Sequence, residues 1–109
     1  MLEPFYRRIV ERTTRGERVA SAIIVGVRGS TPQDVGARML FFREGATWGT
    51  VGGGCVEAGV RAEANRVLAD GQPRRLEVDL VDDLKGEGDV CGGSVEILLE
   101  AWEGAGAAT

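Results

Sequence analysis

The chain has 109 residues, of which 43% are hydrophobic, and it carries a formal net charge of −4. This length accommodates one domain around a single core, and the acidic balance removes the electrostatic footprint expected of a protein that binds nucleic acid or an anionic membrane. An anionic ligand must therefore be held by local N–H groups and by a few well-placed arginines.

The first half of the chain predicts one helix and three strands. The segments are a helix over residues 2–13, strands over residues 19–27, 38–42 and 47–51, and a loop over residues 28–36. The helix has apolar residues at near-helical spacing, the first strand is a β-branched apolar run, and a short glycine-containing turn separates the last two strands. Because neighbouring strand residues face opposite sides, we expect one of Phe41 and Phe42 to be exposed and to form a partner or dimer surface.

The second half predicts another helix and two further strands. The helix covers residues 56–70, the strands cover residues 75–80 and 94–101, an acidic loop covers residues 82–89, and a disordered tail covers residues 104–109. The helix repeats apolar residues at helical spacing from Val56 onward, whereas the strands alternate apolar and polar residues. The acidic loop lacks the spacing of a calcium-binding loop, so we assign no metal to it.

The predicted order of elements is α-β-β-β-α-β-β. This order indicates an α+β fold in which a mixed β-sheet of about five strands carries both helices on one face. We expect residues 1–103 to form a single domain, because no internal repeat or linker interrupts them.

The sequence contains no histidine and only two cysteines, Cys55 and Cys91. A Ser-His-Asp triad, a Cys-His dyad and a histidine-containing zinc site are therefore excluded within the chain. Two thiolates also fall short of the four that an all-cysteine zinc site needs.

The sequence also lacks the marks of export and of a membrane protein. It has no stretch of about 18 apolar residues and no secretory signal at its N-terminus. We therefore expect a cytoplasmic location, with both thiols reduced and no structural disulfide.

Three glycines run into a cysteine, as Gly52-Gly53-Gly54-Cys55, where the third strand ends and the second helix begins. Glycine permits positive φ and close approach of the backbone to a ligand, and the first helical turn offers unpaired N–H groups. Anions and thiolates are both favoured there. A shorter run, Cys91-Gly92-Gly93, precedes the last strand, and we expect both sulfurs to lie within reach of a common ligand. Neither common nucleotide-binding glycine motif is present.

Three blocks of the sequence carry a family resemblance. They are Gly29-Ser30-Thr31-Pro32 with Val35-Gly36-Ala37-Arg38-Met39, then GTVGGGCVE over residues 49–57, then CGGSVEILLE over residues 91–100. Together they resemble the N-terminal domain of the XdhC/CoxI family, whose members are accessory factors for molybdenum hydroxylases such as xanthine dehydrogenase and carbon monoxide dehydrogenase. The resemblance implies a chaperone without turnover of its own and without catalytic residues.

The resemblance also implies a cargo and a set of partners. The cargo is the molybdenum cofactor, which such a protein binds transiently. The partners are the molybdenum hydroxylase apoenzyme that receives the cofactor, a cysteine desulfurase that supplies its terminal sulfur, and a separate Rossmann-domain protein, because many relatives continue into such a domain. A homodimer is also expected, because a small domain with an exposed edge strand and aromatic residue tends to pair.

The residues that match the family's blocks form a candidate cofactor site. They are Ser30, Arg38, Gly52, Gly53, Gly54, Cys55, Glu57, Cys91 and Gly92. Backbone N–H groups of the glycine run would hold the phosphate or oxo group, and Arg38 would add a charge-assisted contact. Cys55 would contact or transiently ligate the molybdenum or its sulfur.

Each of these assignments has a structural alternative. Cys55 and Cys91 would then be small buried thiols, Ser30 would begin a loop, and Glu57 would be stabilised by the helix dipole alone. Two other functions also fit the sequence. The chain would be a small thiol-dependent redox or sulfur-transfer protein that uses the two cysteines as a pair, or a docking subunit for a separate Rossmann-domain protein.

Overall fold

The structure is a computed structural model that describes residues 3–29, 34–52, 54–80 and 93–104. Within these ranges the chain forms two helices and five strands. They are α1 Glu3–Thr14, β1 Val19–Arg28, β2 Arg38–Phe41, β3 Thr47–Gly49, α2 Gly54–Asp70, β4 Arg74–Leu80 and β5 Gly93–Trp102. Neither of the described helices combines the length and the hydropathy that a membrane-spanning segment requires.

The five strands form one sheet in the order β3-β2-β1-β5-β4. Every pair of neighbouring strands is antiparallel. The predicted α+β class and the order of elements are therefore confirmed, whereas the sheet is antiparallel instead of mixed. The connections explain the difference: α2 carries the chain from the edge strand β3 to the opposite edge strand β4, and β5 then returns antiparallel to both β4 and β1.

α2 packs its apolar stripe on one face of the sheet. Val56, Val60, Ala64 and Val67 are buried, as the helical spacing predicts. They form the main core with strand residues Ala20, Ala22, Ile24, Met39, Phe41, Val95, Ile97 and Leu99. These strand residues alternate along each strand, so all of them lie on the one face of the sheet that packs against α2.

α1 covers part of the opposite face. Phe5 packs in a second cluster with Leu40 and Phe42, whereas Met39 and Phe41 face α2. The prediction that both helices share one face is therefore wrong. So is the expectation that one of the two adjacent phenylalanines is exposed, because Phe41 is 2% and Phe42 is 6% exposed. A sheet covered on both faces buries both members of an alternating pair.

Charged contacts tie the turn between β2 and β3 to α1. Arg12 donates to Glu44 at 3.0 Å and to Glu17 at 3.1 Å, and its guanidinium carbon lies 4.1 Å from the ring centroid of Phe42. The hydrogen bond from Arg12 holds the pKa of the Glu44 carboxyl below its usual range. The C-terminal half of α1 is thereby held to the sheet by both packing and charge.

The predicted boundary of the domain falls at the end of the described residues. Gly104, the first residue of the predicted tail, lies against α1: a Cβ added there would collide with the Thr13 carbonyl oxygen. Residues 105–109 lie outside the described ranges. The division into a domain over residues 1–103 and a disordered tail stays a prediction.

Two contacts of Arg18, which directly precedes β1, show in which direction α2 runs along the sheet. Its Nη1 donates to the Leu68 carbonyl oxygen in the last turn of α2 at 2.9 Å, and its Nε donates to Glu103 at 2.7 Å. The C-terminal end of α2 therefore lies beside the start of β1 and the end of β5. Because a helix of 17 residues is about 25 Å long, its N-terminal end lies toward the end of the sheet where β1 finishes and β5 begins.

Candidate functional site

The N-terminus of α2 lies where β1 extends past the helix. On the face of β1 toward α2, Ile24 is fully buried, but Val27, which pairs with the buried Val95, is 38% exposed. Along β1, the part of this face that is covered therefore ends between Ile24 and Val27. We call residues 25–27 of β1 the β1 ledge; its two valines, Val25 and Val27, are both exposed. The first turn of α2, whose N–H groups lack intrahelical partners, lies toward the same end of the sheet as this ledge.

A threonine hydroxyl organises the turn that enters α2. The Gly52 N–H donates to Thr50 Oγ1 at 3.1 Å, and Thr50 Oγ1 lies 2.5 Å from Glu57 Oε2 and 2.8 Å from the Gly52 carbonyl oxygen. A hydroxyl has one proton and a carboxylate is the stronger acceptor, so Thr50 donates to Glu57. Gly52 has φ of 142°, a value that side chains with a Cβ rarely adopt. We call Thr50, Gly52 and Glu57 the Thr50 clamp.

The clamp gives Glu57 a partner within the protein. Its carboxylate connects the first turn of α2 to the residue that follows β3. A carboxylate at a helix N-terminus is also stabilised by the helix dipole, by about 0.3–1 kcal/mol. These contacts favour a role for Glu57 in positioning the N-terminus of α2. Direct contact between Glu57 and a cofactor stays a prediction.

Arg38 does not lie at the N-terminus of α2. Its backbone pairs with Ile23 of β1, and its guanidinium carbon lies 5.4 Å from the ring centroid of Phe5 in α1. The side chain is therefore on the face of the sheet opposite α2, so the structure does not bring it together with the first turn of α2, and its contact with a ligand stays a prediction. The reason is strand alternation: because Met39 faces α2, its neighbour Arg38 faces α1.

The glycine run and the cysteines are described in part. Gly54 begins α2 and Cys55 is its second residue, so the backbone of Cys55 lies in the first helical turn, as the sequence predicts. Four of the predicted site residues lie outside the described ranges: Ser30, Gly53, Cys91 and Gly92. Two described residues near Ser30, Cys91 and Gly92 lie opposite each other, because Arg28 of β1 pairs with Ser94 of β5. The roles of both cysteines stay predictions.

Within the part of the chain that the structure describes, no group of three or more cysteine, aspartate and glutamate residues is arranged to hold a metal ion.

Thr50 is a residue to which the sequence pattern assigned no role. The signal was present, because a threonine two residues before a glycine is typical of turns in which the hydroxyl binds the following backbone. Its second partner, Glu57, was not predictable from this rule, since seven residues and the start of a helix separate the two side chains.

Thr50→Val is expected to lower the free energy of unfolding by about 1 kcal/mol, because the Gly52 N–H loses its acceptor and Glu57 its donor while the side-chain size is kept. Urea unfolding followed by circular dichroism measures the change. Thr47→Val, at an exposed position of β3, is the matched control and should change stability by less than about 0.5 kcal/mol. Equal effects of the two substitutions would contradict a specific contribution of the Thr50 clamp.

The comparisons with known proteins cover the same region. Residues 13–79 match the model of the XdhC and CoxI family. This range includes β1, α2, the Thr50 clamp and most of β4.

Two curated relatives come from Escherichia coli (strain K12). The molybdenum cofactor insertion chaperone PaoD is 31% identical over 97 residues, which is 83% of this chain and 28% of PaoD. The uncharacterized protein YqeB is 36% identical over 81 residues, which is 73% of this chain and 15% of YqeB. A crystal structure of a xanthine dehydrogenase from Bacillus halodurans is similar with a TM-score of 0.69 and 30% identity, over 87% of this chain and 29% of that one. The chain thus spans less than a third of the length of each.

Proposed function

Because the chain belongs to the XdhC and CoxI family, as its sequence blocks predict, we propose that it is an accessory factor in the maturation of a molybdenum hydroxylase. In this role it binds the molybdenum cofactor transiently as cargo and assists its insertion into the apoenzyme, without turnover of its own. The observation that carries the proposal is the similarity of most of the chain to a molybdenum cofactor insertion chaperone.

The two ends of this cargo make different demands on a binding site. The cofactor is a pterin with a terminal phosphate at one end and a dithiolene-bound metal at the other, so one end is anionic and the other is soft. The N–H groups of the first turn of α2 and the positive end of its dipole suit the phosphate or an oxo group. A cysteine sulfur suits the soft end, and the valines of the β1 ledge offer an apolar surface beside both.

The proposed site therefore consists mainly of backbone. With Arg38 on the opposite face, the anionic end is held by the N–H groups of Gly53, Gly54 and Cys55, which the Thr50 clamp positions from the side of β3. Ser30, Cys91 and Gly92 contribute from the two segments that adjoin β1 and β5, and Cys91 shares the ligand with Cys55. A site made of N–H groups is compatible with a net negative chain, because the helix end supplies local positive charge.

The finer parts of the proposal concern partners and location. A cysteine desulfurase supplies the terminal sulfur while the chain holds the cofactor, and a separate Rossmann-domain protein docks beside it. The chain acts in the cytoplasm and as a homodimer.

Expression of the chain together with the enzymes of molybdenum cofactor synthesis tests the proposal. The purified protein is expected to contain molybdenum and pterin in a fixed ratio to protein, because the helix end and the thiol bind both ends of the cofactor. Elemental analysis and fluorescence of the oxidised pterin measure the two components after size-exclusion chromatography.

Purified protein that contains neither molybdenum nor pterin would contradict cargo binding. Two further measurements would then distinguish the redox or sulfur-transfer protein from the docking subunit. A reversible disulfide between Cys55 and Cys91 under mild oxidant, seen by mass spectrometry, would favour the redox or sulfur-transfer protein. A stable complex with a Rossmann-domain protein in the absence of cofactor would favour the docking subunit.

A further inference from the structure

β4 is the longer of the two edges of the sheet. Its seven residues, Arg74–Leu80, pair on one side with β5, whereas β3 at the other edge has three residues. Among the described residues, no strand pairs with the outer side of β4. The backbone N–H and C=O groups along such an edge are available to another strand.

The charged side chains of β4 are unequally paired within the described part of one copy. Glu77 lies directly opposite Glu96 of β5, and like charges in this arrangement repel each other. Arg75 forms an ion pair with Glu96. Glu77 accepts a hydrogen bond from the Ser94 hydroxyl at 3.4 Å, but in residues 3–29, 34–52, 54–80 and 93–104 no basic side chain forms an ion pair with it. Among the described residues, this exposed carboxylate on the outer strand therefore forms no ion pair.

We propose that two copies of the chain pair through their β4 strands, antiparallel and related by a two-fold axis at Leu76. In this register Arg75 of each copy lies opposite Glu77 of the other, on the same face of the sheet. Each Glu77 then gains a basic side chain directly opposite it on its outer side, in addition to Glu96, which lies opposite it within one copy. The occupant of the edge is a second copy because the charge pattern of β4 is complementary to itself.

The same charges select the register. An axis at Arg75 would place two arginines opposite each other, and an axis at Glu77 would do the same with two glutamates, which is unfavourable in both cases. The axis at Leu76 avoids both contacts. It also brings the two Leu76 side chains together on the face that α2 covers, where Leu76 and Val78 are only partly buried in one copy, so that apolar surface leaves water on pairing.

This inference deepens the homodimer named in the proposed function, but it does not depend on cargo binding. β4 lies at the edge opposite β3, and the Thr50 clamp follows β3. Dimerisation and cofactor retention are therefore separate measurements on the same protein.

Charge exchange at the two positions tests the register. Sedimentation velocity over a concentration series of the full chain gives the Kd of the dimer. Arg75→Glu and Glu77→Arg each place like charges opposite each other at two symmetry-related sites, and each is expected to raise Kd at least about 10-fold. The double variant restores opposite charges and should return Kd to within about threefold of the unsubstituted chain. Arg7→Glu on the exposed side of α1 is the control and should leave Kd unchanged.

A chain that stays monomeric throughout the concentration series overturns the proposal, and so does a double variant that dimerises no better than the single ones. Glu77→Gln removes the charge without reversing it, so it should raise Kd by a smaller factor. It also tests the role of Glu77 if the charge-reversed variants do not fold. Circular dichroism checks the fold of each variant. The unsubstituted chain separates the two proposals: a dimer without molybdenum contradicts cargo binding alone, whereas a monomer that retains molybdenum contradicts the β4 dimer alone.

Discussion

Cys55→Ala is expected to reduce cofactor retention at least about 10-fold, because the substitution removes the thiol that we propose as the soft ligand. Alanine favours helices, so the helix that begins at Gly54 should remain intact. Molybdenum and pterin per protein, measured after co-expression with the cofactor pathway, give the size of the loss. The thermal unfolding midpoint is expected to change little, which separates a lost ligand from a lost fold.

Cys55→Ser is a second variant that tests whether the sulfur atom itself is required. Serine keeps the approximate size of the side chain and its capacity to donate a hydrogen bond, but it replaces soft sulfur with hard oxygen. Retention should therefore fall with serine as well as with alanine. Undiminished retention in both variants would remove Cys55 from the site and leave the N–H groups of α2 as the proposed contacts.

Gly49→Ala is expected to lower the free energy of unfolding by about 3 kcal/mol or more. Gly49 has φ of 78°, and a Cβ added there would lie 2.6 Å from the Arg38 carbonyl oxygen of the neighbouring strand. The positive φ alone costs an alanine about 1–2 kcal/mol, and the contact with backbone requires β3 to move away from β2, with loss of packing or hydrogen bonds. Urea unfolding measures the effect.

Gly45→Ala separates the two causes. Gly45 also has a positive φ, of 97°, but a Cβ there would meet nothing within 4 Å. We therefore expect Gly45→Ala to show only the conformational part, about 1–2 kcal/mol. If both substitutions destabilised the protein equally, the close approach of β3 to β2 would not be the feature that requires glycine at position 49. Because Gly49 directly precedes Thr50, its substitution should also lower cofactor retention.

The elements of this fold were predictable because their signals are local. The apolar stripe that begins at Val56 specifies a helix with one buried side, and the alternation of Val95, Ile97 and Leu99 specifies a strand with one buried face. The turn into α2 was also predictable, since a run of glycines marks a backbone with special conformations and Gly52 has one. Family membership followed from the same segment.

The errors arose where one element had to be placed against another. Alternation predicts that Phe41 and Phe42 face opposite sides, but exposure depends on whether a helix covers each side. The same reasoning applies to Arg38, whose position on the strand adjacent to the one that enters the glycine run suggested a shared site. Its side chain lies against Phe5 instead, because β2 alternates and α1 covers the face that α2 does not.

The sequence by itself determined the class of the fold, the order of its elements, the family, and the position of a glycine-bordered cysteine at the start of a helix. The family was identified from the resemblance of three sequence blocks. The other properties depend on spacing within a dozen or so neighbouring residues, where helix and strand periods leave a direct record. Only the tertiary structure decided that the helices lie on opposite faces, that Arg38 is separated from the N-terminus of α2, and that Thr50 joins Glu57. Each of these outcomes depends on the packing of segments that are distant or differently folded, and residue periodicity carries no information about which face a distant segment will cover.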